Sequence, residues 1–243
     1  MKNGGIVMLK IEKLTKKYGN KKAVDSLSLE VKDGEIFGFI GHNGAGKTTT
    51  IKSIVGIQDF DSGKILIDGM DISKNDIACK KIMAYIPDNP DIYENIKGIE
   101  YLNFMADMYD VKKETRIALI ERYSKQFEIY NNLGDKISSY SHGMKQKLVI
   151  IASLIHKPKL LVLDEPFVGL DPKAAFNVKQ IMKELTEEGS SIFFSSHVLE
   201  VVEKLCNRVG IIKNGKLVKV GSVDEIKGDS SLEDVFLELI ENE

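Results

Sequence analysis

The sequence predicts an α/β fold with a mainly parallel sheet and a helical lobe inserted into it. Leu160–Leu163 is apolar throughout and Ser191–Ser196 is similar, as expected of parallel strands that are buried on both faces. The apolar run Ile36–Ile40 enters a glycine-rich loop, and a helix is predicted from Lys47 to about Val55. From about residue 99 to residue 157, apolar residues recur instead at helical spacing.

Local patterns predict the remaining elements. Ser26–Val31 alternates polar and apolar residues, which indicates a strand with Leu27, Leu29 and Val31 on one face. Further strands are predicted at Gly63–Gly69, at Lys81–Pro87 and on both sides of an Asn214-Gly215 turn. Helices are predicted at Ile99–Tyr109, at Ile117–Tyr130, at Gly143–His156 and in the tail after Ser231.

Composition excludes several classes of protein. The 34 Lys and Arg residues nearly balance the 36 Asp and Glu residues, so the net charge of −2 does not indicate nucleic-acid binding. Cys79 and Cys206 lack metal-ligand spacing, which is typical of reduced structural thiols. No apolar stretch reaches the ~18–20 residues that span a bilayer. We therefore expect a cytoplasmic protein that meets a membrane only through a partner.

The glycine-rich loop carries the first chemical motif. Gly41–Thr49, which reads GHNGAGKTT, matches the phosphate-loop pattern G-x-x-x-x-G-K-[ST] between a predicted strand and a predicted helix. Its glycines let successive N–H groups converge on phosphate oxygens, and the helix N-terminus adds a partial positive charge. Lys47 is predicted to bind the β- and γ-phosphates and the Thr48 hydroxyl to bind Mg²⁺. The loop residues assigned to nucleotide binding are Gly41, His42, Asn43, Gly44, Ala45, Gly46, Lys47, Thr48 and Thr49.

Two acidic residues follow the buried strand Leu160–Leu163. Asp164 is predicted to hold the hydration shell of Mg²⁺, and Glu165 to orient or deprotonate an attacking water. Together with the phosphate loop, these residues predict a P-loop NTPase. GTPases, small-molecule kinases and motor ATPases share both motifs, so the motifs alone do not identify the enzyme.

A third motif, Tyr140–Met144, reads YSHGM and opens a predicted helix, where Ser141 and the N–H groups near Gly143 make a second anion site. In this order the motifs resemble the nucleotide-binding subunits of ATP-binding cassette (ABC) transporters, and the resemblance covers nearly the whole chain. The usual signature of that family is Leu-Ser-Gly-Gly-Gln; here His142 replaces a Gly and Met144 replaces the Gln. This variant is similar to that of exporter ATPases with separately encoded membrane subunits. The resemblance implies that Ser141, Gly143 and Met144 cap the γ-phosphate of an ATP held by a second protomer.

The resemblance implies roles for four further residues. Tyr18 stands where the family places an aromatic ring against adenine, Asp171 lies in the loop that links the two sites of a dimer, and His197 approaches the γ-phosphate. Asp88 stands where the family usually has Gln. A carboxylate can bind Mg²⁺ or its water but cannot donate an amide hydrogen bond to the attacking water. The predicted catalytic residues are Lys47, Asp88, Glu165 and His197, and the predicted metal ligands are Thr48, Asp88 and Asp164.

The implied protein is an ATPase that uses ATP and Mg²⁺ and drives a transmembrane permease from the cytoplasmic face of a membrane. Its P-loop NTPase core, with an antiparallel β subdomain, is assigned to residues 1–95 and 158–225, the helical subdomain to residues 96–157 and a C-terminal helix to residues 226–243. Two protomers, identical or related, would enclose two ATP molecules.

The permease is predicted to dock on Asp88–Glu94, which carries three acidic residues around Ile92 and Tyr93; the alternative for this segment is a solvated acidic loop. For the whole chain, the alternatives are a soluble cassette ATPase of DNA repair or translation and a small-molecule P-loop kinase. A coiled coil, a second cassette or a basic patch would favour the former, and the sequence has none of them. A kinase has no use for the YSHGM motif.

Overall fold

The computed structural model describes residues 7–241, without the side chains of the last two. Residues 1–6 and 242–243, assigned above to the core and the C-terminal helix, lie outside the described residues. In chain order the elements are β1 (Val7–Tyr18), β2 (Lys21–Lys32), β3 (Ile36–Ile40), α1 (Lys47–Ile54), β4 (Ser62–Ile67), β5 (Met70–Asp71), α2 (Asp76–Lys81), β6 (Met83–Ile86), α3 (Gly98–Met108), α4 (Lys113–Gln126), α5 (His142–Leu154), β7 (Leu160–Asp164), α6 (Pro172–Glu187), β8 (Ser191–Ser196), α7 (Leu199–Leu205), β9 (Arg208–Lys213), β10 (Lys216–Ser222), α8 (Val223–Lys227) and α9 (Leu232–Glu241).

The strands form two sheets. The larger has the order β10-β9-β3-β8-β7-β6, in which β10 pairs antiparallel at one edge and the other five strands are parallel. The smaller, β2-β1-β4-β5, is antiparallel throughout. The predicted α/β fold class, with a mainly parallel sheet and an antiparallel β subdomain, is confirmed.

The central strand β3 is buried on both faces, which explains its unbroken apolar sequence. Phe37 and Phe39 face the antiparallel sheet, and Phe37 stacks on Phe193 of β8 with ring centroids 5.7 Å apart. Ile36 and Ile40 face the opposite way, toward the helices. Because side chains alternate along a strand, one short strand joins the two halves of the core.

Helices α3, α4 and α5 lie between β6 and β7 in the chain and form the helical subdomain. Helix α4 ends at Gln126, four residues earlier than predicted, because Glu128 adopts a left-handed backbone conformation with φ of 60°. Phe127 and Ile129, which follow the end of the helix, are also buried. The apolar pattern in the sequence therefore continues past the last helical residue. Within the described residues, no helix is both long and apolar enough to cross a membrane.

Helix α6 was not predicted, although its sequence carries the signals of a helix. Asp171 caps its N-terminus by accepting a hydrogen bond from the Ala174 N–H at 2.8 Å, and Pro172 stands at its first position. Its buried residues recur at helical spacing: Ala174, Val178, Ile181, Met182 and Leu185. Helix α9 matches the amphipathic helix predicted in the tail.

His156 makes the stability of the fold dependent on pH. Its ring stacks on Tyr109 with centroids 3.7 Å apart, and its Nε2 lies 3.2 Å from the Met83 carbonyl oxygen. Burial lowers the pKa of His156 from 6.5 to about 4, so the folded state disfavours the protonated ring. Stability from this group is therefore present above about pH 6.5 and is lost as the pH falls toward 4.

We expect the free energy of unfolding to fall by about 2 kcal/mol more in the parent than in His156→Gln between pH 7 and pH 5, since only the parent gains this proton on unfolding. Urea unfolding of both proteins at the two pH values measures the difference. Equal losses in the two proteins would show that His156 does not contribute.

Candidate active site

Four parallel strands end at one edge of the larger sheet and bring the motifs together. The phosphate loop follows β3, Asp88 follows β6, Glu165 follows β7 and His197 follows β8. Ligands of open α/β sheets bind outside the carboxyl ends of parallel strands. The phosphate loop, Asp88, Glu165 and His197, which are far apart in the chain, therefore lie together at the carboxyl ends of these strands.

The phosphate loop needs its glycines for two reasons. Gly44 and Gly46 have φ of 81° and 112°, a region that side chains with a Cβ rarely enter. A Cβ on Gly46 would also lie 2.4 Å from the Ala23 carbonyl oxygen, and one on Gly41 would lie 2.5 Å from that of Ile212. The backbones of β2 and β9 thus pack closely against the loop and leave no room for a side chain at these two positions.

Lys47 opens helix α1 and points back into the loop. Its side chain is buried, and its ammonium donates hydrogen bonds to the carbonyl oxygens of Gly41 at 2.6 Å and His42 at 3.4 Å. Its Nζ also lies 3.7 Å from Glu165 Oε1. The ammonium is therefore held between the loop backbone and the acid from β7.

An open cleft of about 380 Å³ lies over this arrangement. Its lining includes ten of the predicted residues: Tyr18, His42, Asn43, Gly44, Gly46, Lys47, Thr48, Thr49, Asp88 and Glu165. Gly41 and Ala45, which belong to the same loop, are buried. Lys21 and Ala23 also line the cleft and were not predicted, because no motif marks the start of β2.

The Glu165 carboxylate is fixed from two sides. Oε1 lies near Lys47, and Oε2 lies 2.9 Å from His197 Nδ1 and accepts a 3.3 Å hydrogen bond from the His197 N–H. Glu165 has φ of 49°, which is unusual for a residue other than glycine and is found at functional sites. The backbone N–H of Glu165 donates to Ser195 Oγ at 3.0 Å. A carboxylate held in this way can orient a water molecule.

Asp164 ends β7 and is 1% exposed. Its Oδ1 accepts a 2.5 Å hydrogen bond from the Ser195 hydroxyl, whereas its Oδ2 is buried and has no partner among the described residues. A buried carboxylate oxygen without a donor is unfavourable unless a cation or its bound water satisfies it. Thr48 is exposed and lines the cleft. A carboxylate oxygen and a hydroxyl are donors that fit Mg²⁺.

The described residues contain no group of three or more His, Cys, Asp or Glu side chains that could hold a metal alone. Mg²⁺ usually takes one or two protein ligands and completes its shell with phosphate oxygens and water. The sparse donor set is consistent with that mode of binding.

Asp88 is exposed on the cleft, and its Oδ1 accepts a 2.8 Å hydrogen bond from the N–H of Asn89. Burial, together with the negative charges of Asp164 and Asp88, raises the pKa of the Tyr85 phenol. Both carboxylates therefore act on the same tyrosine of β6.

We expect Asp88→Asn to raise the Mg²⁺ concentration that gives half-maximal ATPase activity, because removing a full negative charge beside a divalent ion weakens attraction. Asp91→Asn, three residues along the same loop, is the matched control. A Mg²⁺ titration of the ATPase rate distinguishes them. Equal Mg²⁺ dependence in parent and Asp88→Asn would make Asp88 an ordinary surface residue.

Tyr18 lies at the rim of the cleft and is 52% exposed. Its hydroxyl donates to Gln58 Oε1 at 2.5 Å, and the Lys16 ammonium lies 5.4 Å from its ring centroid. The ring is thus oriented by two residues that the sequence did not single out.

The YSHGM motif lies outside the lining of this cleft. Helix α5 begins at His142, one residue earlier than predicted. Ser141 caps it and accepts a 3.3 Å hydrogen bond from the Met144 N–H. Gly143 lies against the next loop, since a Cβ there would be 3.2 Å from the Gly169 carbonyl oxygen. The residues predicted to form the second anion site therefore do not line the cleft over the phosphate loop of their own chain.

Asp171 joins that loop to the motif. Its Oδ2 lies 2.7 Å from the Nζ of Lys147 on α5, and the hydrogen bond from Lys147 lowers the pKa of the Asp171 carboxyl. The loop from Gly169 to Pro172, which comes shortly after Glu165 in the chain, is thus bound to the helix that the motif opens.

Comparison with known proteins identifies the family. The family model described as "ABC transporter" matches residues 24–168, more than half of the chain. The chain belongs to the ABC transporter ATP-binding family. It is an ATP-binding, ATP-hydrolysing subunit, and this finding confirms the enzyme class inferred from its motifs.

Relatives of this ABC ATPase agree with the assignment. It is 37% identical over 222 residues to the linearmycin resistance ATP-binding protein LnrL of Bacillus subtilis, covering 90% of this chain and 70% of LnrL. It is 39% identical over 222 residues to the bacitracin transport ATP-binding protein BcrA of Bacillus licheniformis, covering 90% of this chain and 71% of BcrA. Neither relative supports the alternative of DNA repair or translation.

The fold of the ABC ATPase is also that of a solved relative. A structure described as the ATP binding subunit of an ABC transporter is 30% identical, with a TM-score of 0.93, and the match covers 96% of this chain and 100% of that one. The match extends over both sheets and the helical subdomain. The boundaries near residues 96 and 157 stay predictions.

Proposed function

We propose that this ABC ATPase powers an exporter by closing as a dimer around two ATP molecules, with its YSHGM motif capping the ATP of the other protomer. The observation that supports the proposal is that Ser141 caps the N-terminus of α5 but does not line the cleft of its own chain. A hydroxyl, free N–H groups and a helix dipole favour a phosphate. A second chain in head-to-tail arrangement would supply it.

Within one cleft, each residue has a distinct proposed task. The loop N–H groups and Lys47 bind the phosphates, Tyr18 stacks on adenine, and Glu165 orients and deprotonates the attacking water. His197 holds Glu165 and contacts the γ-phosphate. Thr48, Asp164 and Asp88 are the residues that would hold Mg²⁺, which neutralises phosphate charge when bound.

The loop after β7 is suited to communicate between the two sites. It begins at Glu165 of one cleft and ends at Asp171, which is bound to Lys147 of α5 in the same chain. A movement of the acid when phosphate leaves would therefore reach the residues that cap the second ATP. The physical link is short and consists of backbone and one ion pair.

Export and membrane association are supported by the relatives and by the signature variant. LnrL is named for linearmycin resistance and BcrA for bacitracin transport. We infer by analogy that this ABC ATPase works on the cytoplasmic face of a membrane, beside a permease.

The proposed permease contact is Asp88–Glu94, and its geometry changes the expected charge of that surface. Tyr93 is 69% exposed and packs edge-on against Phe104, with ring centroids 6.4 Å apart. Glu94 pairs with Lys145 of α5, and Asp88 lines the cleft. The segment is therefore less acidic toward a partner than its sequence suggests, and Asp91 is its main free charge among the described residues.

We expect Tyr93→Ala to release the ATPase from membranes that contain its permease, because exposed aromatic anchors dominate interface energetics. Tyr130→Ala is the control, since Tyr130 is also exposed and lies in the helical subdomain. Membrane flotation followed by immunoblotting gives the bound fraction. Full retention of Tyr93→Ala would rule out this anchor.

A further inference from the structure

Ser195 connects Asp164, the last residue of β7, with Glu165, the residue after it. It lies on β8 opposite Asp164 and is fully buried. Its hydroxyl donates to Asp164 Oδ1 at 2.5 Å and accepts from the Glu165 N–H at 3.0 Å. We propose that Ser195 is a positioning residue: it orients the Asp164 carboxylate toward Mg²⁺ and holds the backbone of Glu165 in its left-handed conformation.

The first half of this role concerns which oxygen of Asp164 is available. The Ser195 hydroxyl occupies Oδ1, and Oδ2 remains buried without a partner among the described residues. A carboxylate can otherwise rotate about its terminal torsion, which has a broad energy profile. Partners that fix the orientation of a metal ligand typically contribute about 10–100-fold to metal affinity. Ser195 is placed to be such a partner.

The second half concerns Glu165. Its φ of 49° is unfavourable for a residue with a Cβ, so neighbouring groups must stabilise it. The hydrogen bond from its N–H to Ser195 Oγ does so directly. In this conformation the Glu165 carboxylate reaches both Lys47 and His197.

A buried serine could instead serve only to form hydrogen bonds with buried backbone groups. Strand β8 offers a matched control for that possibility. Ser191 is equally buried on the same strand. Its hydroxyl donates to the Lys32 carbonyl oxygen at 3.0 Å and accepts from the Gly34 N–H at 3.1 Å. The two serines match in burial and in hydrogen bonding, but only Ser195 contacts the acids.

The test is the dependence of ATP affinity on Mg²⁺, measured by calorimetry on the full chain. Mg²⁺ is expected to increase the affinity for ATP, and Ser195→Ala should raise about 10-fold the Mg²⁺ concentration at which half of that increase is reached. The affinity for ATP without Mg²⁺ should not change. Ser191→Ala should match the parent. Ser195→Thr, which keeps the hydroxyl, should recover the parent value to within about threefold. Thermal unfolding of each variant reports separately on the fold.

The turnover number tests whether Ser195 positions Glu165. At saturating Mg²⁺, Ser195→Ala should lower kcat about 10-fold, while KM for ATP stays within about twofold. The loss of rate is smaller than the ~10²–10⁴-fold effect of removing a general base, because Glu165 is displaced but still present. Ser195→Ala that matches Ser191→Ala in both Mg²⁺ dependence and kcat would overturn the proposal.

The inference rests on the proposed role of Asp164, so Asp164→Asn is included in the calorimetry. If Asp164→Asn shifts the Mg²⁺ dependence and Ser195→Ala does not, the orientation role of Ser195 is wrong and the metal role of Asp164 stands. If neither variant shifts it, Asp164 is not a metal ligand and both assignments fail.

Discussion

Glu165→Gln is expected to lower the ATPase turnover number about 10²–10⁴-fold, the usual effect of losing a positioned general base. Glutamine has nearly the same volume, so the contacts around residue 165 remain, but the side chain loses its charge and its capacity to take a proton. Binding of ATP should persist, because a negative charge beside the phosphates has been removed.

The rate is measured as phosphate release at saturating ATP and Mg²⁺, and ATP binding by calorimetry. Glu187→Gln, an exposed change near the end of α6, is the control and should keep the parent rate. Turnover by Glu165→Gln at near the parent rate would remove Glu165 from the role of base.

Lys47→Ala is expected to weaken ATP binding about 10–100-fold, which is the loss of one hydrogen bond between charged groups. The Lys47 ammonium is the cation buried within the phosphate loop, where low exposure strengthens its attraction for phosphate oxygens. Its removal also takes away the positive charge beside Glu165 Oε1.

Lys52→Ala is the matched control, because Lys52 stands in the last turn of the same helix and does not line the cleft. Calorimetric titration with ATP compares the two variants. Unchanged affinity of Lys47→Ala, with Lys52→Ala also unchanged, would show that the loop binds phosphate through its backbone alone.

The sequence was sufficient for the elements whose signal is local. Strands β3 and β8 begin and end where predicted, because each apolar run is bounded by a turn or a polar residue. The phosphate loop and its helix follow from one motif, since the glycine pattern is required by the backbone itself.

The contacts that organise the site depend on pairing between distant segments. Ser195 meets Asp164 because β7 and β8 pair in one register across a separation of 31 residues, and a shift by one residue would turn its side chain to the other face. The bond between Tyr18 and Gln58 and the ion pair between Lys145 and Glu94 are likewise long-range. No local pattern specifies such contacts, so sequence reasoning missed them.

In the proposed dimer, Ser141 of one protomer caps the ATP bound in the cleft of the other. Sedimentation velocity of Glu165→Gln at high protein concentration tests it, since slow hydrolysis preserves the ATP. With ATP and Mg²⁺, Glu165→Gln should sediment as a dimer, and so should the variant that also carries Ser139→Arg, an exposed change two residues before the motif. The variant with Ser141→Arg should remain a monomer with unchanged ATP affinity. A dimer that survives Ser141→Arg, or a loss of ATP affinity in the monomer, would show that Ser141 does not cap the ATP of a second protomer.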